Sequence, residues 1–145
     1  MPKPSIQPVS PDTKELLSIW RSSVEATHHF LTPAQVDQLV PFVRQAFSQM
    51  EQLLGIWDLQ GQLSGFLGVC ADRVEMLFID AAHRGQGLGG QLLQYAIDRF
   101  DVRHLDVNEQ NPQALGFYQR FGFQVYARSA LDGQGNPFPL LHLER

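Results

Sequence analysis

The sequence predicts an α/β domain organised around a mixed sheet. Two segments with helical spacing of apolar residues come first, short apolar runs separated by turn residues follow, and a glycine-rich loop then leads into a further helical segment. The chain has 145 residues, 43% of them hydrophobic, so it can bury one sizeable core. We therefore expect a single domain over residues 1–145.

The N-terminal third predicts two helices. Ser10-Pro11-Asp12 combines a capping side chain with a proline, and the apolar spacing after it predicts a helix over residues 11–26. Thr32 and Pro33 suit the N-cap and the first position of a second helix, whose apolar face extends to Phe47. Pro41 inside that segment predicts a kink or a division of the helix.

Strands are predicted where short apolar runs are bounded by turn residues. The first two runs form a hairpin around the turn at residues 60–62, and the third is so continuously apolar that it belongs inside the sheet. The predicted strands cover residues 53–59, 63–71, 74–79, 104–107, 123–130 and 140–143.

Two further helices are predicted in the C-terminal half. The glycine-rich loop that follows residue 79 leads into apolar residues at helical spacing from Leu92 to Phe100. Asn111-Pro112 starts another helix, and Gly122 ends it. The predicted order is therefore helix, helix, three strands, helix, strand, helix, two strands.

Composition excludes several classes of function. A formal charge of -4 without a run of Lys or Arg argues against a nucleic-acid partner. A single cysteine, Cys70, allows neither an intramolecular disulfide nor a structural zinc site, and it is expected to be a small buried hydrophobe. Residues 1–5 carry no leader signature and no apolar run is long enough to span a bilayer, so we expect a cytoplasmic protein without membrane contact.

The glycine-rich loop has the chemistry of a pyrophosphate site. Gly85, Gly87 and Gly90 satisfy the G-x-G-x-x-G pattern of dinucleotide-binding folds, with Asp106 about 20 residues further on. Two helices and a hairpin precede the predicted strand at residues 74–79, and little chain follows Asp106. Both facts argue against a nicotinamide-dependent oxidoreductase, which stays as an alternative. Successive backbone N–H groups at a helix N-terminus, with Arg84 beside them, still favour a bound pyrophosphate.

Two motifs carry a resemblance to a known family. Residues 84–89, Arg-Gly-Gln-Gly-Leu-Gly, resemble the R/Q-x-x-G-x-G/A loop of the GNAT superfamily of acetyl-CoA-dependent N-acetyltransferases. Residues 111–118 and 121–123 resemble that superfamily's N-x-x-A-x-x-F-Y…G-F segment, although Ala81 stands where many relatives have proline. The resemblance covers nearly the whole chain. It implies a mostly antiparallel sheet of about six to seven strands with one splayed pair, flanked by about four helices.

The resemblance also implies acetyl-CoA as cosubstrate and no metal. The pantetheine arm is expected along Leu77, Phe78 and Ile79, where this strand parts from the next, and Asn111 is expected to reach it or to cap its helix. The expected pyrophosphate ligands are the N–H groups of Arg84, Gly85, Gln86, Gly87, Leu88, Gly89 and Gly90.

Acetyl transfer needs an acid for the departing thiolate and a base for the amine. Tyr118 matches the family's general acid, and an unperturbed pKa of about 10 keeps it protonated at neutral pH. Two carboxylates are open as the general base. Glu75 is expected to share a strand face with Leu77 and Ile79, whereas Asp106 lies on the adjacent strand.

The resemblance implies that the first two helices cover the acceptor site, so the link between them is expected to lie beside the acceptor. His28 and His29 in that link can contact substrate or take a proton near neutral pH. Trp20 belongs either to the core or, together with Phe30 and Leu31, to one wall of the acceptor site.

The resemblance implies an N-acetyltransferase that transfers acetyl from acetyl-CoA to a primary amine, and since no convincing covalent nucleophile is present we expect direct transfer in a ternary complex. The acceptor is a small-molecule amine or a peptide or protein amine, and the protein is a monomer or a homodimer. The alternative is a module of the same fold that senses acetyl-CoA without turnover.

Overall fold

The computed structural model describes residues 4–145, which form a seven-stranded sheet flanked by four α-helices. The mixed α/β class is confirmed. The elements are β1 (Ser5–Pro8), α1 (Glu15–Thr27), α2 (Pro33–Gln49), β2 (Gln52–Trp57), β3 (Leu63–Cys70), β4 (Arg73–Ile79), a 3₁₀ turn (Ala81–His83), α3 (Leu88–Phe100), β5 (His104–Asn108), α4 (Pro112–Arg120), β6 (Gln124–Ser129) and β7 (Leu140–Glu144).

One strand pair of this sheet separates along its length. The strand order is β1-β2-β3-β4-β5-β7-β6, and the β4–β5 pair is parallel whereas the other pairs are antiparallel. The β4–β5 pairing is limited to Arg73 with His104 and Val74 with Leu105. Beyond these residues the two strands diverge, so the rest of β4 presents backbone N–H and C=O groups to a gap rather than to a neighbouring strand.

Each face of the sheet has its own buried core. On one face α3 buries Leu92, Leu93 and Ala96 completely, against apolar residues from the central strands. On the other face α1 and α2 pack over Phe66, which is also completely buried. The two cores hold the sheet from both sides and leave the β4–β5 gap between them.

A bulge in β4 changes which residues share a face. Gly68 pairs with Met76 and Val69 with Val74, so Glu75 is an extra residue in β4. Val74 therefore packs in the same core as Leu77 and Ile79, although strict alternation would separate them. The alternation that predicted Glu75 on the face of Leu77 and Ile79 does not hold in this strand.

Several element boundaries differ from the sequence prediction. Strand β1 was missed, and α1 begins at Glu15 because residues 10–13 form a turn in which Thr13 N–H donates to the Ser10 carbonyl. Strand β2 ends at Trp57 because the Asp58 side chain accepts from two backbone N–H groups of the following turn. Helix α2 runs unbroken through Pro41, so the predicted division is wrong.

Residues 1–3 lie outside the described residues. The expectation that this end of the sequence carries no leader signature rested partly on them. Over residues 4–145, no helix has both the length and the apolar character needed to cross a membrane.

Candidate functional site

A cavity of about 780 Å³ opens where β4 and β5 diverge. Its walls come from β4, the glycine-rich loop, the start of α3, α4, and the C-terminal half of α1. The lining residues include Ser23, Thr27, His28, Leu77, Phe78, Ile79, His83, Arg84, Gly85, Gly87, Leu88, Gly89, Gly90, Asn111, Gln113, Phe117, Tyr118 and Arg120. The two sequence motifs thus meet at one site, together with residues from α1 that lie far away in the chain.

The glycine-rich loop offers unpaired N–H groups to this cavity. Gly85 and Gly87 both have φ +79°, a left-handed conformation that glycine adopts without strain. Within residues 4–145, Gln91 is the first residue after Arg84 whose N–H donates to a backbone carbonyl, that of Gly87. The N–H groups of residues 85–90 therefore remain available at the positive end of α3, which suits a phosphate group.

Arg84 adds a positive charge at the entrance of the loop. Its guanidinium lies 3.3 Å from Oε1 of Gln113 on α4, so the loop and the helix are connected across the cavity. The side chain forms no ion pair with a carboxylate in the described part of the chain. Its charge is therefore uncompensated at the place where the N–H groups converge.

His83 anchors the loop to the rest of the fold. Nδ1 of His83 lies 3.0 Å from Asp80, and Nε2 lies 2.9 Å from Asp58 in the turn between β2 and β3. The hydroxyl of Ser22 on α1 donates to Asp80 at 2.8 Å. The hydrogen bonds with Asp80 and then Asp58 raise the pKa of His83, while the N–H of Gln62 and the contact with His83 lower the pKa of Asp58.

Tyr118 projects from α4 into the cavity. Its ring packs edge-on against Phe117, with centroids 5.1 Å apart and the ring planes at 72°, and against Phe123 at 6.1 Å and 77°. Desolvation by burial raises the pKa of its hydroxyl above the usual value. Tyr118 therefore keeps its proton throughout the neutral range.

Asn111 is the N-cap of α4, and its expected contact with the pantetheine stays a prediction. Its side-chain oxygen accepts from the Ala114 N–H at 3.3 Å, which caps α4, and the residue also lines the cavity. The cap directs the first turn of α4 towards the gap and so positions Tyr118.

His28 enters the same cavity from the end of α1. Its Nδ1 lies 2.8 Å from the Thr27 hydroxyl oxygen, and that hydroxyl also donates to the Ser23 carbonyl at 2.7 Å. Burial lowers the pKa of His28, and the neighbouring His29 adds to the effect. The imidazole is therefore neutral at neutral pH.

Neither carboxylate considered as general base lines the cavity. The Glu75 side chain is 38% exposed, with the Arg73 guanidinium 3.9 Å away. Asp106 lies 2.7 Å from Nδ1 of His142 and 3.2 Å from Arg73, and Nε2 of His142 lies 2.6 Å from the Ser129 hydroxyl. Oδ1 of Asp106 is thus engaged by His142 of β7 and Arg73 of β4, outside the cavity.

A second groove, of about 520 Å³, lies between α2, the α1–α2 link and the β6–β7 loop. An aromatic series connects it with the cavity, because Phe30 packs against His28 on one side and against Phe138 on the other, each at 5.3 Å between centroids. Its lining residues are Phe30, Leu31, Gln35, Gln38, Leu39, Phe42, Asn108, Asp132, Gln134, Asn136, Phe138 and Leu140.

Some residues singled out from the sequence lie elsewhere. Trp20 is 4% exposed in the core beneath α1 and α2, which agrees with the first of the two roles considered for it. His29 and Gln86 line neither cavity nor groove. Cys70 is half-buried rather than buried, and its thiol donates weakly to the Gln49 carbonyl. Among residues 4–145, no group of three or more His, Cys, Asp or Glu could hold a metal ion.

Sequence reasoning missed several residues of the cavity wall. Gln113 lies within residues 111–118, which carried the family resemblance, Arg120 lies just after them, and Thr27 directly precedes His28, so proximity to these residues was the available signal. His83 precedes the glycine loop directly, but its partner Asp58 lies 25 residues earlier and no local pattern connects them.

The chain is similar to known proteins both in sequence and in fold. The family described as "Acetyltransferase (GNAT) domain" matches residues 22–138. The chain is similar to the peptidyl-lysine N-acetyltransferase YjaB of Salmonella typhimurium, with 39% identity over 130 residues, 90% of this chain and 89% of that protein. The solution structure of apo YjaB from Escherichia coli superposes with a TM-score of 0.87 at 37% identity, covering 97% of this chain and 96% of that one.

A more distant structure has the same fold. The PaiA N-acetyltransferase of Thermoplasma acidophilum, solved in complex with coenzyme A, gives a TM-score of 0.71 at 18% identity and covers 99% of this chain and 100% of that one.

Proposed function

The chain belongs to the GNAT acetyltransferase family, and we propose that it transfers the acetyl group of acetyl-CoA to the ε-amine of a lysine side chain in a peptide or protein. Membership makes it an N-acetyltransferase, as the sequence motifs predicted. The observation that carries the choice of acceptor is the open groove beside the cavity, separated from it by His28 and Phe30. Relatives named peptidyl-lysine N-acetyltransferases support the same class of acceptor.

The cavity suits acetyl-CoA in three respects. Its mouth offers the N–H groups of Gly85 and of residues 87–90, together with the charge of Arg84, to the pyrophosphate. Along β4, the unpaired backbone at Leu77 and Ile79 can form hydrogen bonds with the pantetheine amides, as an added strand would. The volume of about 780 Å³ falls within the range of small-molecule and cofactor sites.

The groove suits a cationic amine that is presented on a larger molecule. Within residues 4–145, the groove lining contains one charged residue, Asp132, and neither Lys nor Arg. Phe30, Leu39 and Phe138 supply an apolar surface for the methylene chain of a lysine. Because the groove is open, it can accept a side chain that extends from a folded protein.

Direct transfer requires the two substrates to meet at the inner end of the cavity. The amine attacks the thioester carbonyl carbon, the C–S bond breaks, and coenzyme A leaves as the thiolate. Tyr118, still protonated because burial raises its pKa, is the proton donor to that thiolate. Loss of hydration also makes the thiolate more basic, which favours this proton transfer.

The test is incubation with acetyl-CoA and a lysine-containing peptide whose α-amine is blocked, followed by mass spectrometry. We expect acetylation of the lysine together with release of free thiol. The matched control peptide carries arginine instead of lysine and should remain unmodified. Binding of acetyl-CoA without transfer to any amine would support the sensor alternative and overturn the proposal.

A further inference from the structure

Two imidazoles line the cavity, and they differ in what they can do. Both ring nitrogens of His83 lie within 3.0 Å of carboxylates, so this side chain has no position left for a substrate proton. His28 has a partner at one nitrogen only, since Nδ1 contacts Thr27 and Nε2 has no hydrogen-bond partner among residues 4–145. His28 is thus the imidazole in the cavity wall that can still accept a proton.

Thr27 determines which tautomer of His28 is present. A hydroxyl group has one proton to donate, and Thr27 donates it to the Ser23 carbonyl at 2.7 Å. The Thr27 oxygen can therefore only accept from Nδ1 of His28, 2.8 Å away, so Nδ1 carries the hydrogen. The lone pair of the neutral ring is then on Nε2, which is the arrangement a general base needs.

The location of His28 fits a residue that contacts both substrates. Its ring lines the cavity that also contains Tyr118, and it packs at 5.3 Å against Phe30, which lines the groove. His28 therefore lies in the cavity wall on the side of the groove, from which an amine would approach a thioester in the cavity. Glu75 and Asp106 line neither space.

We propose that Nε2 of His28 is the general base of the acetyl transfer and that Thr27 is the positioning residue that holds its tautomer. This inference rests on the proposed function. The lysine ammonium first releases one proton to solvent. As the nitrogen of the resulting neutral amine bonds to the thioester carbonyl carbon, it loses a second proton to Nε2. The C–S bond breaks, the electron pair leaves with sulfur, and Tyr118 protonates the thiolate. His28 then releases its proton to solvent and Tyr118 regains one.

The surroundings of His28 keep it neutral before the reaction. Burial lowers its pKa, and His29 in the same link acts in the same direction. Other titratable groups in the cavity wall are His83, Arg84, Tyr118 and Arg120, and Ser23 and Thr27 face it from α1. No carboxylate lies within ion-pair distance of His28 in the described part of the chain. The base is therefore available down to slightly acidic pH.

The experiment compares pH–rate profiles of kcat/KM for the wild type, His28→Gln and Thr27→Val, with acetyl-CoA and the lysine peptide. The wild-type rate should fall on the acid side with an inflection below about 6.5. His28→Gln should lose about 100-fold or more in kcat and lose that inflection. Thr27→Val should lower kcat with little change in the KM for acetyl-CoA, and Thr27→Ser should restore the rate.

Three controls separate chemistry from folding. His104→Gln makes the same change on β5, outside the cavity and the groove, and should keep the wild-type profile. Stabilisation of each variant by acetyl-CoA in thermal unfolding reports an intact donor site. For a His28→Ala variant, added imidazole should restore part of the lost rate, which a purely structural role of His28 would not allow.

The outcomes show separately whether the assignment of His28 as the base fails and whether the proposed function fails. If the wild type acetylates the peptide and His28→Gln does so at the same rate with the same acid limb, His28 is not the base and the proposed function stands. If the wild type binds acetyl-CoA but leaves the lysine peptide unmodified, the proposed function fails, and the base assigned to that reaction falls with it.

Discussion

Nε2 of His83 lies 2.9 Å from Oδ2 of Asp58, which joins the glycine-rich loop to the turn between β2 and β3. Because the opposite ring nitrogen contacts Asp80, protonated His83 bridges two carboxylates, and its side chain is only 15% exposed. Neutral imidazole carries a single N–H and can donate to one of them only. The connection between the loop and the sheet is therefore strongest when His83 is charged.

This arrangement predicts a pH-dependent effect of His83→Gln on stability. The pKa of His83 is raised in the folded protein. The contribution of the charged side chain to the free energy of unfolding is therefore fully present below the unfolded-state pKa of about 6.5, and it is lost as pH rises through the higher folded-state pKa. In acid, protonation of Asp58, whose pKa is lowered in the folded protein, removes the contribution again. Urea unfolding should show the largest difference between variant and wild type at about pH 5.5 and a smaller one at about pH 9. A difference that grows with pH would contradict the assignment.

Gly87→Ala is expected to impair both stability and acetyl-CoA binding. Gly87 has φ +79°, so alanine costs about 1–2 kcal/mol of backbone strain, and its methyl group would project where the N–H groups converge. Gly61→Ala is the matched control, because Gly61 has φ +81° in the β2–β3 turn and also has open space around it. Both variants should unfold at lower urea, but only Gly87→Ala should bind acetyl-CoA more weakly. Equal binding by the two variants would remove the loop from the donor site.

The part of the cavity wall formed by the glycine loop and α4 could be predicted from the sequence because its residues lie in continuous segments. The glycine loop and the α4 segment with Asn111 and Tyr118 each combine a helix start with a specific side chain, so local patterns suffice. The bulge at Glu75 could not be predicted, because an extra residue shows only in the register between β3 and β4. The contact of His83 with Asp58 likewise depends on how the β2–β3 turn packs.

The elements of the fold also differed in whether they could be predicted from the sequence. Helices with long apolar faces were predicted, and so were the strands with continuous apolar runs. Strand β1 was missed, because its four residues pair with β2 at the sheet edge and Ile6 alone packs against the core. The divergence of β4 and β5, which creates the cavity, was expected from family resemblance and not from the residues of either strand.

Arg84→Gln should weaken binding of acetyl-CoA and of coenzyme A by about 10-fold or more, the amount typical of a charge-assisted hydrogen bond. Arg99→Gln removes the same charge from the last turn of α3, where the guanidinium packs over Tyr95 at 5.0 Å, and should leave binding unchanged. Titration calorimetry of both variants at two salt concentrations makes the comparison, since the contribution of Arg84 should decrease with salt. A similar loss in both variants would point to net charge instead of a phosphate contact.

Phe42→Ala should raise the KM for the lysine peptide several-fold and leave the KM for acetyl-CoA unchanged. Phe42 is 56% exposed and lines the groove, so its ring is available to pack against an acceptor. Leu59→Ala is the control, because Leu59 is 59% exposed but lies outside the groove. Steady-state kinetics with each substrate varied in turn distinguish the two effects. An unchanged peptide KM in Phe42→Ala would direct the search for the acceptor site away from the groove.

Tyr118→Phe should lower kcat by about 100-fold or more while leaving acetyl-CoA affinity near the wild-type value. The change keeps the ring packed against Phe117 and Phe123 and removes only the hydroxyl, so the fold of α4 should be preserved. Tyr95→Phe on α3 removes a hydroxyl outside the cavity and should have no effect on the rate. Because burial keeps Tyr118 protonated well above neutral pH, the wild-type rate should not fall on the alkaline side until pH exceeds the usual tyrosine value of about 10. Wild-type turnover by Tyr118→Phe would mean that solvent protonates the leaving thiolate.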